Sequence, residues 1–264
     1  MAGEYVWTGF DYIGEPTPWN GTGKGAQGTW PSPKNSYFGI IDTAGFPKDS
    51  YYFYQSQWND EVNTLHILPA WNEDAVKKDS SGKVPVVVYT DAKKVELFFT
   101  DAKTGDKKSL GTKEFTQKQS NTQGYTYQYY EGTDKSGTEH KNLYLTWQVP
   151  YKAGTISAVA YGQDGQKISE EKLNGRTSVT TTGEKKNLKA TVDRDTIAAD
   201  GADLTYVTVD VTDKDGNIIP NAEDKVSFKV EGEGKLVGID NGRQDDHTSY
   251  QANSSLQKKR EVSQ

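Results

Sequence analysis

Apolar and polar positions alternate with a period of two along most of the chain. Leu65-His66-Ile67-Leu68, Val84-Pro85-Val86-Val87-Val88-Tyr89, Val95-Glu96-Leu97-Phe98-Phe99, Tyr125-Thr126-Tyr127-Gln128-Tyr129, Leu143-Tyr144-Leu145-Thr146-Trp147 and Ile156-Ser157-Ala158-Val159-Ala160-Tyr161 read as strands. Turn signals lie between several of them, at Thr104-Gly105-Asp106, Gly132-Thr133-Asp134, Ala153-Gly154 and Asp164-Gly165. Successive side chains of a strand point to opposite faces, so each run offers one face to a core and one to water, the pattern of an antiparallel β-sandwich. The alternation returns at Leu188–Val192, Leu204–Val211, Val226–Val230 and Lys235–Ile239, with a hairpin signal at Asp213-Lys214-Asp215-Gly216-Asn217. It stops at Ser254, and Ser254–Gln264 offers no strand to complete the last sheet.

The first sixty residues follow another pattern. Glu4-Tyr5-Val6-Trp7-Thr8-Gly9-Phe10 is a β-branched and aromatic run that reads as a buried strand. Glycines and prolines from Gly14 to Pro33 then break any period between Asp11 and Ser36, and a loop of that length inside a compact domain is usually functional. Asp49-Ser50 before Tyr51–Trp58, with Pro47 upstream, suits a short capped helix with aromatic residues on its buried side. One strand and one helix cannot close a core, so this piece must pack on something else. The expected organisation is 1–61 as strand, loop and helix, 62–170 as a β-sandwich, 171–187 as a linker and 188–264 as a second, shortened sandwich.

Composition sharpens this picture. Only 33% of the 264 residues are hydrophobic and the mean hydropathy is -0.84, which favours small, thin-cored units over one deep globule. Of 30 aromatic residues, 14 fall within 1–58. A net charge of -6 with both signs scattered argues against nucleic acid as a partner, and no run is long enough for membrane insertion. Met1–Phe10 lacks the pattern of a secretory signal, so any export would depend on sequence outside this chain. The absence of cysteine excludes disulfides, thiolate metal sites and cysteine nucleophiles. His66, His140 and His247 match no local metal motif, and neither a metal nor an organic cofactor is expected.

Other constellations admit plain readings. Asp213–Asn217 faintly resembles a calcium loop but lacks that motif's bidentate glutamate, which leaves a hairpin turn. Trp71 and Trp147 suit sandwich cores. Tyr125, Tyr127, Tyr129 and Tyr130 offer either a sugar-stacking face or cross-strand packing. Glu4 and Glu15 stand eleven residues apart across a strand and turn with no enclosed cavity to raise one pKa, so they are not read as a catalytic pair.

Gly3-Glu4-Tyr5-Val6-Trp7-Thr8-Gly9-Phe10-Asp11-Tyr12-Ile13-Gly14-Glu15-Pro16-Thr17-Pro18-Trp19, with Ser36–Asp42 and Phe46–Asp49, resembles the end of the catalytic barrel of glycoside hydrolase family 2 β-galactosidases, in wording most similar to large streptococcal surface enzymes. His66–Asn72 and Val149-Pro150-Tyr151 resemble that family's first accessory sandwich, and Asp193–Gly201 and Gly238–Gly242 the next. The resemblance implies a mainly β chain with two immunoglobulin-like β-sandwiches preceded by a strand-loop-helix remnant of a (β/α)8 barrel. It implies a retaining mechanism, in which a carboxylic acid and a carboxylate about 5 Å apart cleave the glycosidic bond. Both glutamates of the family lie upstream of the strand holding Trp7, so no catalytic residue is expected in this chain and it should be inactive alone. Trp7 is the expected platform for the galactose ring, with Asp11, Glu15 and Trp19 on the pocket rim. The alternatives are a barrel-core role for Trp7 and turn-capping roles for the carboxylates. Implied partners are a β-galactoside or host glycan, bound by the parent enzyme, and the upstream barrel portion. The implied location of the parent is extracellular or on a bacterial cell surface. A carbohydrate-binding or adhesive surface module is the alternative function.

Overall fold

The structure, a computed structural model, describes residues 5–15, 33–122, 124–133, 139–251 and 255–257. Described residues of Met1–Thr181 and Gly242–His247 make one compact unit, and those of Thr182–Asn241 and Thr248–Glu261 a second.

The first unit is built on two four-stranded sheets. One has the order β10 (Leu173–Asn174), β1 (Asn63–Leu68), β2 (Lys83–Thr90), β8 (Leu145–Pro150). The other runs β11 (Ser178–Thr180), β9 (Gly154–Tyr161), β3 (Lys94–Asp101), β4 (Lys107–Glu114). All pairs are antiparallel except β1 with β10. The alternation seen in the sequence sends Leu65, Ile67, Val84, Val86, Val88, Val95, Leu97, Leu145 and Ile156 into one core at 0% exposure. Trp71 and Trp147 join them, as expected of tryptophans suited to sandwich cores. Each fully buried aliphatic side chain contributes about 1.5–3 kcal/mol relative to exposure, which is what holds such a polar chain folded.

The stretch 171–187, read as a linker, contributes β10 and β11 to opposite sheets. Between them Gly175 has φ +119°, and a Cβ there would lie 2.6 Å from the Leu65 carbonyl oxygen. Only glycine fits so close an approach. The next two carbonyls diverge: Arg176 O accepts from Ile67 N (2.9 Å) and Thr177 O from Ala158 N (3.0 Å).

A third sheet, β5 (Thr116–Gln119), β6 (Thr126–Thr133), β7 (Glu139–Asn142), completes the set. The polar strands β4, β5 and β7 are not legible as strands, because their side chains lie mostly in water on both faces and leave no alternation to see.

Helix α1 (Asp49–Trp58) packs on β1 and β2. Lys48 occupies its N-cap with no side-chain capping bond, and the buried residues are Gln55 and Ser56, while the aromatics are half-buried apart from the exposed Trp58. The expected capping by Asp49-Ser50 therefore does not form. The Asp49 carboxylate is drawn instead to a cation and an imidazole, described below.

The run expected as a buried strand from Glu4 to Phe10 differs more. Glu4 lies outside the described residues, and Tyr5, Trp7 and Phe10 are 95%, 72% and 59% exposed. Its partner is a parallel segment, with Asp11 N donating to Ile41 O (2.9 Å) and Ile41 N to Gly9 O (3.0 Å). Aromatic and β-branched character marks a stretch suited to burial but does not say which chain covers it.

In the second unit, β12 (Asn187–Val192) pairs with β13 (Val207–Thr212), and β14 (Lys225–Ser227) with β15 (Ser255–Gln257). The last strand corrects the expectation that nothing after Ser254 pairs. Three residues suffice for a ladder whose bonds come from the backbone, and so short a strand carries no periodicity. Conversely, Lys235–Ile239 forms only a bridge, Gly238 with Gln251.

Candidate functional site

At the start of the first unit, backbone bonds run from Thr8 N to Phe38 O (3.3 Å) and from Ile40 N to Thr8 O (3.1 Å), which holds Trp7 at the head of a paired segment. The Trp7–Thr8 peptide is cis. The indole is 72% exposed. Its Nε1 donates to the Tyr12 hydroxyl (3.3 Å), and the rings meet edge to face at 6.5 Å and 88°. The Tyr12 hydroxyl in turn donates to Glu15 Oε2. The Glu15 carboxylate raises the Tyr12 phenol above its ordinary pKa, against the indole N–H, which lowers it. Glu15 sits at φ +45°, in the left-handed region. The result is an aromatic face edged by a carboxylate, chemistry suited to the C–H face and hydroxyls of a sugar ring.

Asp11 points the other way. Its carboxylate is buried, accepts from Gly39 N (2.8 Å) and pairs with Lys48 Nζ (2.6 Å). Lys48 Nζ also lies 3.6 Å from the centre of the Tyr37 ring. A Cβ on Gly39 would come within 2.2 Å of Asp11 N, so this contact requires glycine. Trp19 lies outside the described residues. Of the four residues singled out from the sequence, the structure links Trp7 and Glu15 and sets Asp11 in the interior. It adds Tyr12 and Lys48, which the sequence did not single out. Tyr12 adjoins Asp11 in the quoted motif, but nothing in the motif shows which of its polar atoms meet.

A second polar cluster ties α1 to the sandwich. His66 Nδ1 accepts from Arg176 N (3.2 Å), which leaves Nε2 to donate to Asp49 Oδ1 (2.6 Å). Arg176 Nη2 also donates to Asp49 Oδ1 (2.6 Å), and the Tyr52 ring stacks on His66 at 3.9 Å and 8°. Burial pushes the Tyr89 phenol up to about 12, with the Asp49 charge adding to it. The sequence did not single out Asp49 and Arg176 as a pair, because 127 residues separate them.

In the second unit, burial would raise Asp213. The N–H groups of Gly183, Asn217 and Asp215 and the Asn217 amide outweigh it and hold the carboxyl at about 2. With its oxygens so engaged and Gly216 at φ +83°, Asp213–Asn217 is a hairpin turn. Among the described residues no group of three or more His, Cys, Asp or Glu side chains is placed to hold a metal ion.

Residues 188–258 match the model of glycoside hydrolase family 2 C-terminal domain 5, and residues 81–169 a domain of unknown function, DUF4982. The chain is 36% identical over 92% of its length to the β-galactosidase BoGH2A of Bacteroides ovatus, covering 22% of that protein. It is 33% identical over 94% of its length to a putative β-glucuronidase of Formosa agariphila, covering 20% of it. The chain thus spans about a fifth of the length of these curated relatives. Among solved structures, a β-glycosidase from Bacteroides vulgatus is similar with a TM-score of 0.66 and 28% identity, over 95% of this chain and 25% of that one. Residues 188–258 are therefore a C-terminal domain of the glycoside hydrolase family 2 type.

Proposed function

We propose that this chain is the C-terminal part of a retaining family 2 β-galactosidase that removes terminal β-D-galactosyl residues, and that it supplies one wall of the galactose pocket. The observation that carries this reading is the exposed Trp7 indole fixed by Tyr12 and Glu15, in a chain 36% identical to a β-galactosidase. In this reading the stretch Glu4 to Asp11 is the closing strand of a (β/α)8 barrel, whose C-terminal end faces the reaction. The indole is the floor under the sugar, and Glu15 stands on the rim. Asp11 acts indirectly, through Lys48 and Gly39, by fixing the backbone that follows Trp7. The acid and the nucleophile come from sequence upstream, about 5 Å apart. The sandwiches are accessory modules, and the wording of the opening motif favours an extracellular or cell-surface enzyme of streptococcal type.

Aryl glycosides test this. The parent enzyme should release nitrophenol from p-nitrophenyl β-galactoside faster than from the β-glucuronide, and this chain alone should release none. Turnover by the isolated chain would place the acids within it and overturn the assignment, and a preference for the glucuronide would overturn the substrate.

A further inference from the structure

The three-stranded sheet β5–β6–β7 has two unlike faces. One is turned onto the sandwich: Gln128 Nε2 donates to Asp91 O (3.2 Å), Gln117 Nε2 to Gln163 Oε1 (2.9 Å), and Tyr130 packs against the core with its hydroxyl 2.6 Å from Lys113 Nζ. Period two then puts Tyr127 and Tyr129 on the opposite face, in line with Tyr125 just before the strand, and that face is open to water at Tyr125 and Tyr127 but covered at Tyr129. Register adds Lys118 opposite Tyr127 and Thr116 opposite Tyr129 from β5, and Lys141 opposite Glu131 from β7. The outward face of such a sheet is ordinarily polar, so two exposed aromatic rings in a row on it, Tyr125 and Tyr127, continued by the buried ring of Tyr129, are the unusual feature.

The rings step along the strand with centroids 6.2 and 6.0 Å apart, and their planes are inclined to one another by 56° and 35°. Exposure falls from 55% at Tyr125 to 38% at Tyr127 and 8% at Tyr129, where Lys141 Nζ lies 4.9 Å over the ring. We propose that this row is a glycan-binding surface, on which consecutive pyranose units of an uncharged oligosaccharide lie over Tyr125 and Tyr127, while Lys118, Thr116 and the phenol hydroxyls take sugar hydroxyls.

Three features select that occupant. The step between rings is of the order of one pyranose unit. The rings end in hydroxyls and are bordered by amines, a hydroxyl and a carboxylate, a border that suits a polyol and would penalise an aliphatic protein surface by stranding polar groups. The charges, two lysines against one glutamate on a chain of net charge -6, give no basis for holding a polyanion. The row shares no residue with the Trp7, Tyr12 and Glu15 group, and only the choice of galactan as first probe rests on the function proposed above.

The test is titration calorimetry of the 264-residue chain with β-1,4-galactotetraose, cellotetraose and xylotetraose. Saturable binding is expected, weakened about tenfold or more in Tyr125→Ala/Tyr127→Ala, kept within about twofold in Tyr127→Phe, and unchanged in Tyr206→Ala, an exposed tyrosine of the second unit. The exposed side chains of Tyr125 and Tyr127 can be removed without opening the core, and an unchanged melting temperature checks this. Tyrosine-dependent binding of cellotetraose alone would uphold the surface while weakening the case for a galactoside-cleaving parent. Absence of binding to all three, or binding that survives the double alanine variant, overturns the proposal.

Discussion

Trp7 keeps its ring in water while its one polar atom is tied to Tyr12, so in the function proposed above the cost of orienting the indole is met before the sugar arrives. In the parent enzyme Trp7→Ala should therefore lower kcat/KM on an aryl β-galactoside by roughly ten- to a hundredfold, with Trp7→Phe intermediate. Asp49 behaves differently, since its value is structural. Asp49→Ala removes the acceptor shared by His66 and Arg176 and should destabilise the first unit by about 2–4 kcal/mol, read from the urea midpoint. Asp213 gives a pH signature. Its folded pKa of about 2 lies below the ordinary 3.8, so its contribution is complete above pH 4 and is lost as pH falls through 2. Acid titration of stability should show that loss in the second unit, and Asp213→Ala should flatten it while lowering neutral stability by about 1–3 kcal/mol.

At the scale of elements, the ladder of β12 and β13 sets Leu188 opposite Val211, Ala190 opposite Val209 and Val192 opposite Val207, an apolar face backed by a polar one. Leu188, Val192 and Val207 are 50% or more exposed. The chain should therefore bind a hydrophobic dye, and Leu188→Asp with Val207→Lys should reduce the dye signal without changing the melting of the first unit. Strands such as β2 and β9 were legible because alternation is written where one face is dry. β4, β5 and β7 were hidden because they are wet on both, and Lys235–Ile239 alternates yet among the described residues forms no strand, only the bridge of Gly238 with Gln251. The site divides the same way. Trp7 and Glu15 stand out in the opening motif by chemistry alone. Tyr12, Lys48 and Arg176 gain their roles from contacts across the fold, and Asp11 changes meaning once its carboxylate is seen to face inward.

For the whole molecule, a polar chain organised as thin layers relies on a few strands to hold each layer to the next. The crossing at Gly175 is such a place, because the carbonyls of Arg176 and Thr177 engage Ile67 and Ala158 on different sheets. A single short segment thus sutures both layers, and neither can part from it without slackening the other. Deuterium uptake at the Ile67 and Ala158 amides should consequently proceed at one common rate, and a methyl group at residue 175 should quicken both together.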